Sequence, residues 1–190
     1  MREDIASLVA ALKVGSPVAA AALYDRLGRD VHQRLYRALG PDPDLSDLVH
    51  DTFVEVLKSI RRLRDPGALD AWVGAIAVQV AHMRLQRRRR RWWLSFVPHD
   101  QVPEPEPSSP DATGNETLRQ CWKALDTLEP RRRLALVLRH VEGQSLEEGA
   151  ASLSVSLATF KRLLRAAEDD FRALTPRFPA LGEWLEEGGR

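Results

Sequence analysis

Several functional classes lose their support through what this chain lacks. Cys121 is the single cysteine in 190 residues, so an internal disulfide is impossible, and the five scattered histidines show no metal-ligand spacing. No metal or cofactor is expected. No stretch approaches the roughly 18 uninterrupted apolar residues that a membrane-spanning helix needs, and the opening residues, MREDIASLVAALKVG, mix acids with an early arginine instead of resembling a secretory signal. A reduced, cytoplasmic protein without membrane insertion is expected. Glycine-rich phosphate loops, paired carboxylates and nucleophile–base pairs are missing as well, which leaves an enzyme reading without support. Strand signals are weak, whereas apolar residues recur at helical spacing almost throughout, so the expected class is all-α.

A content of 44% hydrophobic and 29% charged residues suits one ordinary folded domain or two small ones. The net charge of +1 argues at face value against a nucleic-acid partner. That figure averages unlike parts. Residues 1–97 hold 16 Lys+Arg against 11 Asp+Glu, a net of +5; residues 98–116 hold five acids and no base; residues 117–190 return to +1. The acidic stretch contains Pro98, Pro103, Pro105, Pro107 and Pro110, which remove backbone donors and favour extended chain. The layout read from this is two small helical domains, 1–97 and 114–174, joined by a Pro-rich acidic linker at 98–113 and followed by a tail at 175–190.

In the first half, Val49, Phe53, Val56, Ile60 and Leu63 form one apolar stripe on a helix predicted over 45–63, with Asp44 as a candidate N-cap. A second helix is predicted from Pro66, capped by Asp65, with Leu69, Trp72, Val73, Ile76, Val80 and Met83 on one face. It runs into five consecutive arginines without a breaker. Arg84, Arg87, Arg88 and Arg91 fall at i, i+3, i+4 and i+7, so they share a face able to follow a phosphate backbone. A solvated helix end accounts for the same run equally well.

In the second half, Leu118, Cys121, Trp122, Leu125 and Leu128 make an amphipathic helix, and Pro130 opens the next, which Gly143 ends. Ser145 and Glu148 then form a capping box for a short helix. Ser154-Val155-Ser156 interrupts it, and Ser156 caps a longer helix predicted over 157–174. A short helix, a tight turn and a longer basic helix describe a helix-turn-helix, whose second helix fits the major groove of B-DNA. Its reading residues are expected to be Ser156, Ala158, Thr159, Lys161, Arg162 and Arg165. Arg131, Arg132 and Arg133 are expected to add cationic surface nearby.

The order of these features resembles the extracytoplasmic-function group of sigma-70 family RNA polymerase sigma factors, over roughly residues 15–94 and 114–174. DLSDLVHDTFVEVLKSI (44–60) is similar to the family's polymerase-binding helix, which implies Asp47, Leu48, His50, Asp51 and Phe53 as core polymerase-binding residues. AWVGAIAVQVAHMRLQRRRRR (71–91) resembles the helix that melts and reads the minus-10 promoter element, with Trp72 and Gln79 in reading positions beside the arginines. Residues 124–171 resemble the minus-35-reading domain. The resemblance implies a dissociable transcription-initiation subunit with core RNA polymerase, promoter DNA and an anti-sigma factor as partners.

Some positions depart from the family pattern. His50 replaces a usual glutamine, Asp51 a glutamate and Gln79 a common asparagine. Gly149 stands where a bulky aliphatic normally fills the helix-turn-helix core, and Phe160, where valine is usual, is expected to compensate across that contact. Two other readings follow from the same residues: a sigma-like DNA-binding regulator that has lost initiation, and a protein-interaction module whose Lys161, Arg162 and Arg165 meet an acidic partner. Phe178, Leu181, Trp184 and Leu185 suggest a short amphipathic turn in the tail, although a frayed terminus explains them too.

Overall fold

A computed structural model describes residues 2–95 and 112–178. All regular structure among the described residues is helical: α1 (Arg2–Lys13), α2 (Pro17–Leu39), α3 (Leu45–Ser59), α4 (Leu69–Ser95), α5 (Ala112–Thr127), α6 (Pro130–Leu136), α7 (Leu146–Ser152) and α8 (Leu157–Leu174). The expectation of an all-α chain with a helix-turn-helix in its second half is met.

Local sequence explains where most of these elements start and stop. Ser16 caps α2 by accepting from the Ala19 N–H, ahead of Pro17 in the first turn. The stripe of Val49, Phe53, Val56, Ile60 and Leu63 is buried as predicted, although α3 tightens into a 3₁₀ turn at Ile60–Arg62. Asp65 accepts from the Gly67 N–H and so caps the short 3₁₀ turn that leads into α4. Asp44 is a correction: its side chain makes no cap hydrogen bond to α3. Asp42 instead accepts from the Asp44 N–H, at 3.0 Å, and the Asp44 carboxylate turns outward to Arg84.

In the second half, Glu129 accepts from the N–H groups of Arg131 and Arg132 and starts α6 at Pro130. A π turn over Val137–Val141 follows, which periodicity did not reveal. The Ser145–Glu148 capping box forms with both of its reciprocal hydrogen bonds. Ser154, in the turn before α8, has φ of 53°, an uncommon left-handed conformation for a residue with a side chain. Leu181, Trp184 and Leu185 of the tail and nearly all of the expected linker lie outside the described residues.

The two halves pack on each other. One hydrophobic cluster holds Leu23, Val31, Val56 and Val80 from the first half together with Leu134, Leu138 and Phe160 from the second. A smaller cluster of Leu125, Leu128 and Val137 lies under α5. No described helix is long and apolar enough to cross a membrane.

Candidate nucleic-acid interface

The helix-turn-helix is built from the inside outward. Gly149 on α7 is buried, and the Phe160 ring, with no exposed surface, lies where a side chain at 149 would stand. A Cβ on Gly149 would fall within 2.7 Å of Phe160 Cε2, closer than real contacts allow. The exchange expected from sequence is therefore present: the large ring fills the space left by the absent side chain. With that inner face fixed, α8 turns Ser156, Ala158, Lys161, Arg162 and Arg165 to solvent, and Thr159 is half-buried. Ser156 also caps the helix, because its Oγ accepts from the Thr159 N–H at 3.2 Å. Outward cations on a helix whose inner face is packed suit insertion into a groove.

Arginines on α4 are arranged differently. Arg84 donates through Nε and Nη2 to the two oxygens of Asp42, at 2.8 and 2.7 Å, and Arg88 reaches the same carboxylate and the Leu39 carbonyl. The Asp42 side chain is fully sealed from solvent. Burial alone would raise its carboxyl, but hydrogen bonds from Arg84 and the Asp44 N–H, with the charge of Arg88, hold it below the ordinary value. Arg84 and Arg88 therefore tie α4 to the loop after α2, which corrects the expectation of one phosphate-following face of four arginines. Arg87 and Arg91 remain exposed. Exposed Met83, Gln86 and Arg90 line a shallow groove with Arg87. Residues 79, 83, 86 and 90 follow helical spacing from Gln79, a signal present in the sequence that the arginine run obscured. Met83 thus lies outside the apolar stripe first drawn for it. Trp72 is half-buried against the core.

On α3, Asp47, His50 and Asp51 are exposed, whereas Leu48 and Phe53 are each 6% exposed and belong to the core. Phe53 contacts the Tyr24 ring, with centroids 4.9 Å apart. Of the five residues implied for polymerase binding, only the three polar ones present side chains outward.

Arg133 also departs from expectation. It is 1% exposed, donates to the Ala38 carbonyl at 2.7 Å and pairs with Asp126, with its guanidinium 5.9 Å from the Trp122 ring centroid. Its contact to Ala38, 95 residues earlier in the chain, has no local sequence signature. Arg132 pairs with Asp170 at 2.7 Å, so the predicted basic surface at 131–133 is largely spent on internal contacts.

Comparison with known proteins accounts for this layout. The family model for sigma-70 region 2 matches residues 23–91, and that for sigma-70 region 4 matches residues 118–169. The RNA polymerase sigma-E factor of Streptomyces coelicolor is 33% identical over 152 residues, covering 76% of this chain and 79% of that protein. The chain belongs to the extracytoplasmic-function group of the sigma-70 family. The ECF RNA polymerase sigma factor SigE of Mycolicibacterium smegmatis is 31% identical over 145 residues, which cover 75% of this sigma factor but only 56% of that longer relative. The fold is shared with CnrH, solved in complex with the cytosolic domain of CnrY (TM-score 0.60, 24% identity, 90% of this chain and 96% of that one). It is also shared with RpoE of Bartonella quintana, solved with the anti-sigma factor NepR (TM-score 0.58, 20% identity, 82% of this chain and 96% of that one). In this sigma factor α3 and most of α2 and α4 fall within the region 2 match, and α6, α7 and most of α8 within the region 4 match.

Proposed function

We propose that this chain is a dissociable, cytoplasmic initiation subunit that directs core RNA polymerase to promoters by binding and carries out no catalysis of its own. The observation that carries the reading is the ordered pair of sigma-70 matches on two helical units, the second of which presents a helix-turn-helix with an outward basic face. Residues 1–97 are assigned to core binding and minus-10 capture, 98–113 to a linker and 114–174 to minus-35 docking. Core polymerase meets the exposed polar edge of α3 at Asp47, His50 and Asp51. An unpaired minus-10 strand lies along α4 past Trp72 and Gln79, with Arg87 and Arg91 neutralising phosphates. Lys161, Arg162 and Arg165, with Ala158 and Thr159, enter the duplex groove at minus-35. An anti-sigma factor is a further partner of this reading, supported by the fold shared with RpoE of Bartonella quintana, which was solved with the anti-sigma factor NepR.

In vitro transcription with purified core polymerase over a genomic fragment library tests it. Core-dependent transcripts starting at discrete sites are expected. Failure to associate with core in gel filtration, or association without any initiation, refutes the proposal.

A further inference from the structure

The loop between α2 and α3, Gly40-Pro41-Asp42-Pro43-Asp44, is folded around one carboxylate. Gly40 has φ of 72° and its N–H bonds the Tyr36 carbonyl at 2.8 Å, which ends α2. Pro41 and Pro43 fix φ on either side of Asp42. Asp42 accepts from the Asp44 N–H through its side chain and from the Leu45 N–H through its carbonyl, at 3.0 and 3.1 Å. The loop alone thus fixes where the carboxylate stands.

Arg84 and Arg88, one turn apart on α4, both end on it. Arg84 commits Nε and Nη2 to Asp42, and Arg88 commits its two Nη atoms to Asp42 and the Leu39 carbonyl. Arg84 also meets Asp44 at 2.6 Å, so two acids face two arginines. Side-chain exposure falls to 13% for Arg84 and 27% for Arg88, whereas Arg87, Arg89 and Arg90 on the same stretch are exposed. Other arginines of the first unit are paired too, Arg34 and Arg37 with Glu142 at 3.3 and 3.0 Å and Arg26 with Asp70 at 3.0 Å, but these three lie on α2. Only Asp42 draws arginines out of the helix assigned to the strand.

A guanidinium bonded to a sealed carboxylate has few donors left for a phosphate, and the carboxylate repels one. We propose that Asp42 sets how strongly α4 holds nucleic acid, by keeping Arg84 and Arg88 off the phosphates of a bound strand so that the outer arginines alone meet it. The pairing persists in the bound state, and no opening is involved. Phosphate contacts carry affinity without sequence information. Two fewer of them lower retention on strands at large and leave base contacts a greater share of binding. The inference rests on the assignment of α4 to strand capture.

The test titrates the full chain and its variants, each first shown to be folded by its melting curve, against a random-sequence single strand of about 20 nucleotides at several salt concentrations. Each phosphate neutralised on a single strand adds about 0.7 to the slope of log K against log salt. Asp42→Asn removes the charge with little change of shape and is expected to steepen the slope by about 1.4, so that its gain over the natural chain shrinks about sevenfold between about 50 and 200 mM salt. Adding Arg84→Gln and Arg88→Gln to that variant is expected to return the natural slope, and Arg87→Gln alone to make the slope shallower by about 0.7. Arg88→Gln in the natural chain leaves Asp42 its bonds from Arg84, disturbs the fold less, and is expected to keep the slope within about 0.2 of the natural value. An unchanged slope in Asp42→Asn, as a purely structural clamp would give, or a slope shallower by about 0.7 in Arg88→Gln, overturns the inference. Should Asp42→Asn fail to fold, the Arg88→Gln slope decides alone. A steeper slope in Asp42→Asn with no effect of Arg87→Gln bears the inference out and faults the strand path assigned along α4 instead.

Discussion

The two helices assigned to promoter DNA, α4 and α8, both carry arginines at helical spacing, yet they are anchored by opposite chemistry. On α8 the inner face is apolar, with Phe160 seated on Gly149, and the cations Lys161, Arg162 and Arg165 are exposed. On α4 part of the cationic row is itself the anchor, because Arg84 and Arg88 close on the buried Asp42 carboxylate. An arginine run is thus not one functional unit. A guanidinium with a sealed carboxylate in reach is held by the fold, and only its neighbours are available to a ligand.

The sharpest way to break this comparison is Asp42→Ala, which removes the carboxylate that Arg84 and Arg88 share, leaving them only Asp44 and the Leu39 carbonyl, and is expected to destabilise the fold by about 3 kcal/mol. Arg87→Ala, on the exposed side of the same helix, is expected to stay within about 0.5 kcal/mol. Thermal unfolding of the two variants separates anchor from surface; equal losses would erase the distinction.

For α8 the order reverses. Replacing Lys161, Arg162 and Arg165 together by alanine is expected to leave the melting curve nearly unchanged. It should weaken duplex binding by on the order of 100-fold at moderate salt, and lower the slope of log K against log salt by about 2.7 if all three contact phosphates. Anisotropy titrations at several salt concentrations measure both. A shifted melting curve with intact binding would make these cations structural as well.

Phe160→Val tests the apolar anchor and is expected to cost about 2 kcal/mol, between a methylene deletion and a full ring truncation. Gly149→Ala is expected to destabilise the natural chain but to be tolerated in the Phe160→Val background, a non-additivity that chemical denaturation of the four proteins reads directly.

Acid gives the smallest effects, and only the ionic anchor responds strongly. Since the folded state holds the Asp42 carboxyl below 3.8, its stabilisation is complete above that pH and is lost as pH falls from there through the lowered folded value. Asp42→Asn should flatten that acid limb. His82 behaves with the same sign at higher pH. Burial first, then the Arg131 charge, lowers its imidazole against the opposing pull of Glu129, so stability declines modestly as pH falls below 6.5. His82→Gln should remove that slope in urea titrations at pH 7.5 and 5.5.

What could be read in advance was what depends on near neighbours in the chain. The buried stripe of α3, the Asp65 cap, the Ser145–Glu148 box and the span of α8 all follow from spacings of three or four residues. The Gly149–Phe160 exchange was legible because each residue departs from a family pattern in a compensating direction. Arg84, Arg88 and Arg133 were not, since their partners lie 42, 46 and 95 residues away and topology alone brings them together. Leu48 and Phe53 show a related gap: a motif names positions without saying which of them hold the helix in place and which face outward. The contact between the halves did leave a trace, in the all-round apolar character of residues 73–81, which a one-sided helix would not need.

The π turn at Val137–Val141 has a consequence for how that contact arose. Its closing bond runs from the Glu142 N–H to the Val137 carbonyl, at 2.9 Å, so it encloses one more residue than an α-helical turn. Each residue advances a helix by about 100°. Deleting one residue from 137–141 would swing the carboxylate of Glu142 about a quarter of a turn away from Arg34 and Arg37, with the composition of the joint almost untouched. The pairing of the halves is thus sensitive to a change of one codon in length, and a single insertion or deletion could gain or lose it in one step.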